Sequence, residues 1–387
     1  MLKNIVNVLT SLKLTVACLS LALGLVFIGT IAQVRLGLYI VQEQYFGSYF
    51  VWWGPQGSSW KIPVYPGGYL LGGILLINLI AAHIQRFELS KKKFGIFTVH
   101  AGLILLLVGQ LVSQLFQVES YMAIEEGDQK NYSESGRVSE LAIVDLSDTN
   151  DNLVVAVPQG ALAKNKEIKH PSLPFTVKVQ SFFDNADPTV AGTKIGFVEK
   201  PFQVAMNKRN IPATTIEIVT DEGSKGTFAL SNWQTEKQLV QIMAENFNQN
   251  FHAGLIAPGK FTYKGKPYEI TMRPKRYYKD FTVQLMDFTH DRYLGTEIPK
   301  NFSSRVRLKN TGTGEDREVL IYMNNPLRYG GETYYQGGFE PGDTVSILQV
   351  VKNPSWLTPY IAVVLVSVGL VVQFMYHLIG FAKKRSA

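Results

Sequence analysis

The side chains best placed to do chemistry in this 387-residue sequence are three histidines, His83, His100 and His377. Each lies inside or at the edge of a long apolar run. A neutral imidazole offers a ring nitrogen to metals and is a frequent axial ligand of haem iron. Ionisable groups are costly in a bilayer, so an imidazole at membrane depth points to function by default. The plainer alternative is a histidine one turn inside the interface that snorkels or bonds across helices. That alternative is strongest for His377, the nearest of the three to water. His83 precedes Arg86 by three residues, His100 follows Lys93 by seven and His377 precedes Lys383 by six. At 1.5 Å of rise per residue each ring lies roughly 5–10 Å from a charged flank, so the three heights overlap. A shared level favours one polar or cofactor site. Asn78, five residues before His83, offers a second polar group to the bundle interior, and Ala101-Gly102 beside His100 permit close helix approach. His170, His252 and His290 show no metal-ligand spacing and read as solvated structural residues. His290, in Phe288-Thr289-His290-Asp291, reads as a turn residue at a strand end.

Four elements must carry these imidazoles. A bilayer needs about 20 residues of apolar helix, and residues 14–32, 67–85, 94–116 and 356–376 supply it. The first run is too long for a signal-peptide core, and no small-residue cleavage site follows it before Arg35. Lys3, Lys13, Arg86, Lys91, Lys92, Lys93, Lys383, Lys384 and Arg385 gather at one set of helix ends, against only Arg35 and Lys61 in the 34–66 loop. The positive-inside rule then predicts cytoplasmic termini and a cytoplasmic 86–93 loop. The expected protein is multi-pass in the cell inner (cytoplasmic) membrane. It divides into residues 1–33 (N-terminus and first span), 34–66 (outer aromatic loop), 67–116 (spans two and three), 117–355 (extracytoplasmic domain) and 356–387 (last span and basic tail).

The formal net charge of +7 belongs to this orientation. Basic residues flank apolar runs instead of forming an aromatic-interleaved stripe, which excludes nucleic acid as a partner. The single cysteine, Cys18, excludes a disulfide framework and a CxxC redox pair. No Walker A loop, GxSxG elbow or HExxH helix occurs, so no self-contained catalytic constellation is expected.

The 117–355 region reads as β-rich. Residues 281–288 alternate apolar and polar as a half-buried strand must, and 175–180, 215–219, 305–308 and 319–323 are similar. Residues 221–226 and 311–316 read as hairpin loops, and 236–248 as a short helix. The fold class expected is a membrane protein of four transmembrane α-helices plus a large β-rich extracytoplasmic domain, an antiparallel sandwich or barrel-like. In the 34–66 loop Tyr45, Phe46, Tyr49, Phe50, Trp52, Trp53, Trp60 and Tyr65 suggest an interfacial aromatic belt. A surface for a partner subunit or a flat apolar ligand is the alternative. Gly54-Pro55-Gln56-Gly57 reads as a turn.

Several stretches resemble the ResB family, also called CcsB, of System II cytochrome c maturation proteins. They are Leu9-Thr10-Ser11-Leu12-Lys13-Leu14 entering a span that ends Gly29-Thr30; Asp287-Phe288, Tyr293 and Phe302-Ser303-Ser304; Asn324-Asn325-Pro326-Leu327-Arg328-Tyr329-Gly330-Gly331 with Tyr334-Tyr335-Gln336; and Asn353-Pro354 before the last span. The resemblance implies a second membrane subunit, CcsA or ResC, separate or fused. It implies transport of haem b from the cytoplasmic side outward, for thioether attachment to CxxCH motifs of apocytochrome c. This chain would then be a non-catalytic partner within a holocytochrome c synthase, or haem lyase. Trp52, Trp53 and Trp60 do not reproduce the partner's tryptophan-rich haem-binding segment. In the family one histidine of this subunit is thought to ligate intramembrane haem together with a partner histidine. His83 is the first choice, also as the iron ligand, with His100 next and His377 third. Two alternatives stand beside this: a b-type haem electron-transfer subunit, and a cofactor-free membrane scaffold whose outer domain binds a partner.

Overall fold

In the computed structural model the chain is described over residues 2–55, 60–85, 90, 92–148, 152–192, 194–203, 209–248, 251–296, 299–340 and 344–386. Two compact units emerge. One holds the residues up to Val118 with those from Lys352 on, the other residues Glu119–Gln203 and onward to Val351. Arg86, Lys91, Gln56 and Gly57, on which parts of the topology and turn readings fall, lie outside the described residues.

The helical unit opens with α1 (Leu2–Leu9) and α2 (Leu12–Leu36). Ser11 separates them: its backbone is extended and its hydroxyl accepts the Lys13 N–H, as an N-cap does. At the far end Gly37, at φ 79°, supplies a turn that few side chains tolerate. There follow α3 (Leu38–Val41), a π-helical turn at Gln42–Phe46, and a hairpin of β1 (Phe50–Trp53) and β2 (Ile62–Pro66) that the sequence had suggested only as an aromatic loop. Tyr45, Phe46 and Tyr65 pack onto Leu25, Val51 and Leu71, while Trp52, Trp53 and Trp60 stay more than half exposed, at 55%, 56% and 53%. Those tryptophans keep the outward position an aromatic belt requires. Next come α4 (Gly68–Gln85) and α5 (Phe94–Phe116), and the chain ends with α6 (Thr358–Ser386). Among the described residues, α2, α4, α5 and α6 are long and apolar enough to cross a membrane.

Two polar or small-residue devices hold these helices. Asn78, buried in α4, donates to the carbonyls of Leu9 (2.6 Å) and Ser11 (3.3 Å) and accepts from the Thr15 hydroxyl (2.6 Å). It satisfies carbonyls left open at the α1–α2 break. The interior position expected of Asn78 holds, but its partner is the helix joint. Along α5, Gly95, Gly102 and Gly109 form a seam against α6. A Cβ there would lie 2.7 Å from the Gln373 nitrogen, 2.9 Å from the Ala362 carbonyl and 2.3 Å from Thr358 Cγ2, respectively. A seven-residue spacing keeps such contacts on one stripe of the helix. The pairing is antiparallel, and Asn353 closes it by donating to Ser113 Oγ at 3.0 Å.

The β unit bears out the expected antiparallel, barrel-like architecture. Its spine is two long strands, β3 (Gln129–Asp145) and β4 (Lys266–Arg292), in a ten-stranded sheet. They pair from Tyr268 with Asp145 to Gln284 with Gln129, with register breaks after Pro274 and after Tyr278. The breaks divide two cores. Leu141, Ile143, Ile270 and Met272 meet Val177, Ile216 and Ile218 of a separate four-stranded sheet, while Phe281, Val283 and Leu285 meet Val306, Leu308 and Leu348. The alternation at 281–288 is thus a strand with one buried face. Charges occupy the stretch between the cores. Arg273 lies 3.1 Å from Glu140, Arg276 2.9 Å from Glu134 and 4.1 Å above the Tyr132 ring, and Lys279 2.6 Å from Glu332. Buried ions persist only when paired this way. The short helix expected at 236–248 is Lys237–Phe247. His290 corrects one reading: it sits within β4, not in a turn, with its ring 4.2 Å from that of Phe339 and 6.3 Å from that of Phe302.

Candidate functional site

The last turn of α4 carries His83, and the first two turns of α5 carry Phe97 and His100. The connection between these helices is short, so both sets of side chains sit at one end of the unit. That end also holds Lys92, Lys93 and, through α2 and α6, Lys13, Lys383 and Lys384. The His83 and His100 rings are 5.9 Å apart between centroids and inclined at 68°. Phe97 lies closer to His83, at 4.5 Å and 34°. Phe97 and His100 are three residues apart and therefore share a face of α5. Both imidazoles are half-buried.

His377 stands apart. It is exposed on α6 and hydrogen-bonds Gln373, one turn earlier, at 2.8 Å between nitrogens. Gln373 packs on Gly95, five residues before His100. His377 therefore lies roughly 13 Å along the helix axes from the His83–His100 level, on the side of the basic tail. Two of the three histidines are gathered and the third is not, because the α5–α6 register was not part of the height argument. Phe97 and the glycine stripe escaped that reading too; the seven-residue recurrence of Gly95, Gly102 and Gly109 was the signal available for the stripe.

The donor set limits the chemistry. Among the described residues no group of three or more His, Cys, Asp or Glu side chains converges. A bare transition metal held by side chains needs three or four such ligands. Haem brings its own equatorial nitrogens and asks the protein for only one or two axial ligands. Two half-buried imidazoles in a predominantly apolar helix pair fit that demand.

In the β unit two tyrosines are tied to neighbouring carboxylates. Burial and the neighbouring Glu332 carboxylate push the Tyr334 hydroxyl far above its ordinary range, and its proton is donated to Glu332 at 2.7 Å. Burial, with Glu119 beside it, pushes Tyr121 up to about 12. Neither group can release a proton near neutral pH.

A model of the ResB-like family matches residues 228–347. The chain is also 21% identical over 298 residues to Protein NrfI of Wolinella succinogenes, an alignment that takes in 77% of this chain and 29% of that protein. The chain thus spans under a third of that relative's length. The family match contains Phe302-Ser303-Ser304, the 324–331 motif and Tyr334-Tyr335-Gln336, all in the β unit, whereas His83 and His100 lie outside it. Over that segment the chain is similar to the ResB-like family, which bears out the family resemblance read from those motifs.

Proposed function

We propose that this chain is a subunit of a cytochrome c haem-attachment complex. It binds haem b at the cytoplasmic side of the inner membrane and helps deliver it outward for covalent attachment to apocytochrome c. The ResB-like segment supports a role in cytochrome c biogenesis. The observation that carries the haem part is the pairing of His83 with His100 at the basic end of α4 and α5. His83 supplies the axial imidazole, and His100 is the second candidate for that role. His377, more than two turns closer to the aqueous phase, would act on entry. Lys92 and Lys93, at the start of α5, are placed to attract the carboxylates of an arriving haem. Orientation follows from the basic helix ends, with the β unit on the periplasmic face. A CcsA/ResC-type membrane subunit, separate or fused, is the expected partner, offering a second axial ligand and the attachment site.

A b-type electron carrier would need imidazole pairs at two depths for electrons to cross, and the gathered rings lie at one. The test is the absorbance spectrum and haem content of the chain copurified with its partner, wild type against His83→Ala and His100→Ala. Substoichiometric haem that disappears in His83→Ala supports the proposal. Full, tightly held and reversibly reducible haem supports the electron carrier, and no haem in wild type supports a scaffold.

A further inference from the structure

We infer that Phe97 is a positioning residue that fixes the plane of the His83 imidazole and so prepares it for an axial metal. The inference rests on the haem reading above and names how that site is held. Three observations converge on it. First, the Phe97 ring lies against His83 at 4.5 Å between centroids and tilted by 34°, a contact close enough to hinder rotation of the imidazole. Second, His100 approaches the same imidazole at a steep 68°, so one face of α5 supplies two rings to it. Third, that face has a rigid backing. At 3.6 residues per turn Phe97 and His100 fall roughly 180° around α5 from Gly95 and Gly102. Those glycines rest directly on the α6 backbone, at the Gln373 nitrogen and the Ala362 carbonyl. The helix is pinned from behind and presents the clamp in front.

The chemistry suits this geometry. An imidazole binds iron through a lone pair in the plane of its ring, so a neighbouring phenyl ring that limits its rotation also limits the direction of that lone pair. Groups that orient a metal-binding histidine govern affinity without touching the metal, usually by 10- to 100-fold. Such partners are ordinarily hydrogen-bond acceptors; the Phe97 ring adds an aromatic restraint.

The test uses the full chain in detergent or nanodiscs and three variants: Phe97→Leu, Phe97→Tyr and His83→Ala. Histidine carbon-labelled protein without haem reports geometry. The His83 ring resonances should be displaced by the Phe97 ring current, return toward ordinary values in Phe97→Leu and stay displaced in Phe97→Tyr. Haemin titration reports consequence. Phe97→Leu should weaken haem binding at least about 10-fold and broaden the axial-ligand signature in electron paramagnetic resonance, with Phe97→Tyr close to wild type and thermal stability little changed. Unmoved His83 resonances in Phe97→Leu overturn the clamp. So does wild-type haem affinity in Phe97→Leu when His83→Ala has lost it; that result removes the clamp alone. A wild type that takes up no haem removes the haem reading and the clamp's purpose together.

Discussion

In the β unit Arg273 and Glu140 are 9% and 6% exposed and bonded to each other, and Lys279 at 5% is bonded to Glu332. In the helical unit the half-buried His83 and His100 meet each other and a phenyl ring. All three pairs are ionisable groups at least partly withdrawn from water, yet they are furnished differently. The β unit surrounds its charges with opposite charges because two cores share the strands β3 and β4, and the stretch between must neutralise what it buries. The helical unit uses an amide, Asn78, where it needs polar bonding for its own architecture. The charged pairs of the β unit neutralise one another, whereas the imidazoles of the helical unit lie against aromatic rings.

Separate substitutions should break the two regions separately. The largest effect on stability should come from Glu140→Ala, which strands the Arg273 guanidinium between the cores at a cost of about 3–5 kcal/mol. Chemical denaturation followed by fluorescence should show the β unit weakened while haem uptake by the helical unit is unchanged. Gly102→Val comes next. The new side chain meets the Ala362 carbonyl and Val366, so α5 must shift from α6 at about 1–3 kcal/mol. Here haem affinity should fall with stability, because α5 carries Phe97 and His100.

How much of this was legible in the sequence follows the same division. The four spans could be placed because hydropathy is a summed property of some 20 residues. The strand at 281–288 was visible because alternation is local. The long strand from Lys266 to Arg292 was not: Pro274 and the charges of 273–279 look like a break in a strand, and only the paired acids Glu140, Glu134 and Glu332, distant in sequence, make them tolerable within one. The hairpin of β1 and β2 was hidden by an aromatic composition that also suits an interface. For the site, the shared level of His83 and His100 was readable, whereas the level of His377 and the rotation of the helices were not. Depth comes from counting residues to a charged flank, whereas the meeting of His83 with His100 depends on which faces α4 and α5 present. The separation of His377 depends on the α5–α6 register, set by Gly95 and Gly369, a contact between residues far apart in sequence.

Two smaller effects sharpen the comparison. Asn78→Ala removes bonds to the Leu9 and Ser11 carbonyls and should loosen the α1–α2 joint by about 1 kcal/mol, the scale of polar contacts inside membranes. Proteolysis near residues 9–12 should accelerate without change at the imidazoles. Asp145 gives the smallest. Its carboxyl is held below the ordinary range by the Ser147 hydroxyl and by Lys266. A lowered native value stabilises the fold above the unfolded carboxylate's pKa of about 4, and the contribution is lost as pH falls through the native value. Acid unfolding of Asp145→Asn should therefore show a shallower pH dependence below about pH 4 than wild type.

The measurement closest to the central claim is electron paramagnetic resonance of the haem-loaded full chain in nanodiscs, with nitrogen-15 confined to histidine. Wild type should show hyperfine coupling from an axial imidazole, His100→Ala and His377→Ala should retain it, and His83→Ala should lose it together with most of the bound haem. An axial coupling that survives in His83→Ala, or haem bound with no histidine coupling in wild type, would contradict the assignment of that imidazole as the haem ligand.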